Sequence, residues 1–181
     1  VEYNGFVKTE SEIIELFYFK FQDFPLLSRM EAVADYFIDE VETLHDRDLA
    51  DDEKDLIREK FMKLYVTRDL YVIYSQFLKE NGYKGLPRVS YEKRKLKYED
   101  VYPVLYLKYR LQSQQGRSNI KHLVVDEMQD YSRLQYEILQ RIFSCRMTIL
   151  GDRAQTMDEK QQDVLTFLPK IFGRDIHKII M

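Results

Sequence analysis

Two short apolar runs, each leading into acidic residues and separated by the length of one helix, constrain this chain more than any other feature. Ile120–Val125 ends in Asp126-Glu127, and Met147–Leu150 ends in Gly151-Asp152. Between them, Ser132 and Gln135 have the spacing of a capping box, and Leu134, Ile138, Leu139 and Ile142 recur at helical intervals. Two strands joined by a helix cannot pair through a tight turn; the crossover returns the second strand parallel to the first. A further helix is predicted from a cap at Asp158 to Pro169, followed by a third apolar run, Ile176–Ile180. Strand, helix, strand, helix, strand at these lengths predicts a parallel α/β layer.

The preceding 112 residues follow a different grammar and read as mainly helical. Thr9 with Glu12, and Ser28 with Glu31, have capping-box spacing. After Ser28, Met30, Val33, Ala34, Phe37, Ile38 and Val41 mark one apolar helix face. A third helix is expected from about Ala50 to Tyr65. A fourth presents Leu70, Ile73, Tyr74, Phe77 and Leu78 on one side and stops at Gly82. Residues 82–97 read as a loop. Asp100 is the expected cap of a helix to Leu111, with Pro103 tolerated in its first turn. The expected organisation is therefore a helical lobe, 1–112, and an α/β part, 113–181.

In open parallel sheets, ligands bind beyond the carboxyl ends of the strands, which is where both acidic sequences fall. At the first, one carboxylate of Asp126-Glu127 can hold Mg²⁺ and the other can orient and deprotonate an attacking water. At the second, Gly-Asp-x-x-Gln, Gly151 permits close backbone approach and Gln155 can sense a phosphate without adding charge. Each has a plainer reading, an acidic loop start and a turn after a core strand, and alone neither sequence decides.

Together, Asp126-Glu-Met-Gln-Asp130, a helix, and a strand ending Gly151-Asp-Arg-Ala-Gln155 resemble motifs II and III of the UvrD/Rep branch of superfamily 1 helicases. The resemblance implies a partial RecA-like sheet of P-loop NTPase type, preceded by a helical insertion of the kind called 1B. It implies ATP and Mg²⁺ as cofactors, with Asp126 as the metal ligand and Glu127 as the catalytic base. Gln129 and Asp130 would tie motif II to its neighbours, with Gln129 on the nucleotide side. Gln155 would contact the γ-phosphate or its water, and Asp152 would couple nucleotide to nucleic acid. The helical stretches Phe24–Met30, Asp69–Leu78 and Glu99–Leu111 resemble the region before motif II in HelD-type proteins, helicase IV-like ATPases that act on bacterial RNA polymerase. The partners this implies are DNA, RNA polymerase, or both, in the cytoplasm.

The chain departs from that pattern in three places. Met128 stands where the family has alanine, which leaves the local helix preference intact. Thr156-Met157 follows Gln155, where DNA translocases carry an aromatic for base stacking. No Gly-x-x-x-x-Gly-Lys-Ser/Thr occurs among the glycines at 5, 82, 85, 116, 151 and 173, so the strand and loop that cradle phosphates are not in this sequence. Both ends read as cut, and these residues alone are expected to be inactive on ATP.

Outside the motifs, Arg88, Lys93, Arg94, Lys95 and Lys97 are interleaved with Tyr91 and Tyr98 and are candidates for phosphate contacts, though a solvated loop explains them as well. With a net charge of −3 the whole chain is no generic nucleic-acid binder, so any such contact must be local. The acidic stretch Asp46–Asp55 reads as a solvated helix start. One cysteine, Cys145, excludes an internal disulfide, and three scattered histidines give no metal-ligand spacing. No apolar run approaches a membrane span. Two other function classes stay open: a non-catalytic helical module that docks on a protein, and a nuclease-linked motor.

Overall fold

The computed structural model describes residues 1–112, 119–151, 164–173, 176, 177 and 179. Contacts divide the chain into two compact units, Val1–Val89 with Arg110–Ser113, and Ser90–Tyr109 with Gln114–Met181. Ser90–Tyr109 thus packs with the α/β part, although it precedes residue 113.

The first unit opens with a hairpin that the sequence reading missed. Strands β1 (Glu2–Tyr3) and β2 (Phe6–Val7) pair antiparallel. Asn4 and Gly5 both adopt positive φ, 46° and 85°, the turn that Asn-Gly favours between twisted strands. Helix α1 (Glu10–Glu15) carries the full Thr9–Glu12 capping box and continues into a π-helical turn, Leu16–Lys20. Helix α2 (Arg29–His45) buries the six positions that periodicity selected. Ser28 does not cap it with its side chain; the chain enters α2 through a 3₁₀ turn, Leu26–Ser28, which replaces the expected box.

Helix α3 (Asp51–Met62) is shorter than expected and packs on α2, burying Ile57 and Phe61 completely. Helix α4 (Leu70–Glu80) buries Tyr74 and Ser75, whereas Phe77 is 54% exposed and does not belong to the inward face. Gly82, at φ 80°, ends it as read.

Helix α5 (Tyr98–Leu111), which belongs to the second unit up to Tyr109, starts two residues before the expected cap, and Asp100 is buried inside its first turn. Strands β3 (His122–Val125) and β4 (Arg146–Ile149) pair in parallel, with Val125 opposite Ile149. Helix α6 (Arg133–Ile142) crosses between them, and its Ser132–Gln135 capping box forms as read. Its most buried residue is Tyr136, which the periodicity argument passed over for Leu134 and Ile142, both only half-buried.

Helix α7 (Val164–Phe172) contains Pro169 and ends instead at Gly173, φ 80°. Proline within a helix costs one hydrogen bond; Gly173 N–H restores a cap by donating to Pro169 O at 3.0 Å. The core joins Val125, Tyr136, Val164, Phe167, Leu168 and Ile171. The sheet is smaller than expected: among the described residues Ile176, His177 and Ile179 pair with no strand. Asp158 lies outside the described residues.

Candidate functional site

The site is the carboxyl end of the parallel pair. The β3–β4 register brings the two strand ends level, and Leu150 N–H donates to Val125 O at 2.8 Å. The chain then turns sharply. Glu127 takes a left-handed backbone, φ 51° and ψ 55°, and a 3₁₀ turn, Met128–Asp130, leads toward α6. Met128 N–H donates to Leu150 O at 2.8 Å, so the turn is tied to the end of the neighbouring strand. From below, the fully buried Tyr136 donates its hydroxyl to Met128 O at 2.9 Å. Desolvation pushes the Tyr136 phenol up, which keeps it a neutral donor.

Gly151 makes this closeness possible. A Cβ there would lie 2.3 Å from Met128 Cγ, 2.7 Å from the Met128 backbone nitrogen and 2.7 Å from Gln129 Oε1. Its φ is not in the left-handed region, so space rather than backbone freedom is what the position requires.

Asp126 and Glu127 are both exposed at this end. Asp126 Oδ1 accepts from Glu127 N–H at 2.9 Å, and Glu127 Oε2 accepts from Gln129 Nε2 at 2.6 Å. Among the described residues neither carboxylate pairs with a cation. Gln129 is buried, 7% exposed, and among the described residues its Oε1 has no hydrogen-bond partner. Asp130 is exposed. Asp152 and Gln155 lie outside the described residues.

The basic candidates are less uniform than the sequence suggests. Arg94 is half-buried with its guanidinium 5.4 Å from the Tyr91 ring centre, and Lys97 pairs with Glu99 at 3.5 Å. Arg88, Lys93 and Lys95 are exposed.

The chain matches the family model of the UvrD/REP helicase N-terminal domain over residues 18–157, more than three quarters of its length. It belongs to the UvrD/REP helicase family. The match takes in helices of the first unit as well as the paired strand ends, so both parts of the chain are helicase-domain sequence. A comparison with curated proteins found no match.

For a helicase domain the relevant ligand is a nucleotide with Mg²⁺. The donor set fits a hard cation: two exposed carboxylates with no competing cation, and no group of three or more metal-ligating side chains among the described residues. Mg²⁺ keeps several waters and takes one or two carboxylates plus phosphate oxygens, so a closed protein cage would be the wrong architecture. Among the described residues no helix is long and apolar enough to cross a membrane.

Proposed function

We propose that this chain carries motifs II and III of an ATP-dependent superfamily 1 motor built on a RecA-like sheet of P-loop NTPase type. The observation that carries the reading is a pair of carboxylates, paired with no cation among the described residues, on a strand end locked to the neighbouring strand end. Asp126 is the Mg²⁺ ligand, and bound Mg²⁺ neutralises charge on the phosphates. Glu127 orients the attacking water and accepts its proton on a carboxylate oxygen as the terminal phosphate leaves ADP. Gln155 is assigned to contact the γ-phosphate or its water and Asp152 to couple the nucleotide to nucleic acid; both lie outside the described residues. The phosphate-cradling loop belongs to sequence outside this chain, so the 181 residues alone do not turn over ATP.

The helical part is proposed to be HelD-like, in a cytoplasmic protein that moves on DNA or remodels RNA polymerase. The exposed Tyr18 and Phe19 on the π-helical turn favour a protein-docking role for that part over strand separation. A weaker phosphate footprint suits this role, since Arg94 is half-buried and the exposed Lys97 pairs with Glu99.

The test uses the full-length protein. Hydrolysis of ATP should stop on chelation of Mg²⁺. Glu127→Gln should lower kcat by ~10²–10⁴ while ATP still binds, because the amide keeps the shape and cannot take the proton. Turnover of the variant at the wild-type rate would refute the assignment.

A further inference from the structure

Among the described residues Gln129 is the one buried polar side chain at the strand ends, and half of its carboxamide has no partner there. Its Nε2 donates to Glu127 Oε2 at 2.6 Å. Its Oε1 is buried without a partner among the described residues and lies against Gly151, 2.7 Å from where a side chain there would begin. A buried acceptor left unpaired destabilises a fold, and native structures keep few of them. Next to it, Glu127 holds a left-handed backbone that non-glycine residues rarely adopt. Two unfavourable features on adjacent turns, joined by one short hydrogen bond, mark a place where the fold gives up stability to fix a geometry.

We propose that Gln129 is a positioning residue for Glu127. Its amide fixes the carboxylate that takes the proton, and its burial against Gly151 makes that position depend on the end of the second strand. Gln129 does not itself touch the nucleotide. This inference rests on the reading of Glu127 as the base.

Gln129→Met in the full-length protein keeps length and shape, removes the donor and removes the unpaired acceptor. The carboxylate is then free to rotate off line, and misplacement of a reacting group by about 1 Å costs up to ~10² in rate. The expected result is kcat lowered ~10–100-fold with the KM for ATP and the affinity for a fluorescent ATP analogue unchanged. The unfolding temperature should stay level or rise, because the unpaired acceptor is gone. Gln129→Glu retains an acceptor but not the donor and should lose kcat at least as far.

A merely structural glutamine would show the opposite pattern, a lower unfolding temperature with turnover falling in proportion. Loss of nucleotide affinity in step with kcat would mean direct contact, and wild-type kcat in Gln129→Met would mean no role; each of these overturns the inference. Glu127→Gln run alongside separates the two levels. If it leaves turnover intact, the reading of the base fails and this inference with it. If it abolishes turnover while Gln129→Met does not, only the inference fails.

Discussion

Carboxylates are used in opposite ways in the two units. In the helical unit several are consumed by structure. Glu53 accepts from Ala50 N–H, the Tyr3 hydroxyl and Arg47 at 2.7–2.9 Å, and these bonds hold its carboxyl down at about 2. Glu42 is lowered by Lys54 and by Leu49 N–H, and Glu12 by the Thr9 side chain and backbone. At the strand ends, among the described residues, Asp126 and Glu127 accept only from a neighbouring N–H and a neutral amide. A carboxylate already satisfied by N–H groups and cations has little left to offer a metal or a water. The difference separates acids that hold a helix start in place from acids that the proposed function assigns to a ligand.

The largest expected effect removes what supports the available pair. Tyr136→Ala should destabilise the second unit by ~3–5 kcal/mol in denaturant unfolding, through the lost ring packing against Tyr131, Phe167 and Phe172. It also frees Met128 O. Phe61→Ala belongs to the same energy class in the helical unit, but should leave the strand ends untouched. A similar effect of both variants on nucleotide turnover would break the comparison.

A smaller change sharpens it. Glu127→Gly relieves the left-handed backbone, whose cost for L-residues is ~1–2 kcal/mol, against ~0.5–1 kcal/mol for glycine's freedom in the unfolded chain. The variant should therefore unfold at the wild-type denaturant midpoint or slightly above it, while losing activity. Clear destabilisation would show that Glu127 contributes to the fold, as Glu53 does.

The smallest effect appears only in acid. Glu53 has a folded value near 2 against an ordinary 4.5, so its contribution is complete above about 4.5 and is lost as pH falls toward 2. Thermal unfolding followed from pH 6 to pH 2 should show the helical unit weakening across that window, and Glu53→Gln should flatten the profile. An unchanged slope in the variant would remove Glu53 as the source.

The legible part of the fold is the part governed by local rules. The six buried positions of α2, the capping boxes at Thr9 and Ser132 and the parallel pair all follow from spacing, because period and cap chemistry act within a few residues. The Asn4-Gly5 hairpin follows the same logic, but its strands are only two residues long, too short for an alternating pattern to show. Phe77 and Tyr136 were misjudged for a different reason. Which apolar face is covered depends on partners distant in sequence, and Tyr136 is buried because the Met128 carbonyl takes its hydroxyl.

The placement of Asp126 and Glu127 at a strand end was visible from the apolar run that precedes them. The burial of Gln129 was not, since it depends on the register that places Gly151 beside it.

The central claim is that the acids at the strand ends serve chemistry while those of the helices serve stability. The most direct test compares Glu53→Gln and Glu127→Gln in the full-length protein, with turnover and unfolding temperature measured on each. Glu53→Gln should lower the unfolding temperature and leave turnover unchanged. Glu127→Gln should lower turnover by ~10²–10⁴ and leave the unfolding temperature unchanged. A Glu127→Gln protein that hydrolyses ATP at the wild-type rate, or that loses turnover only because it unfolds, would contradict the account.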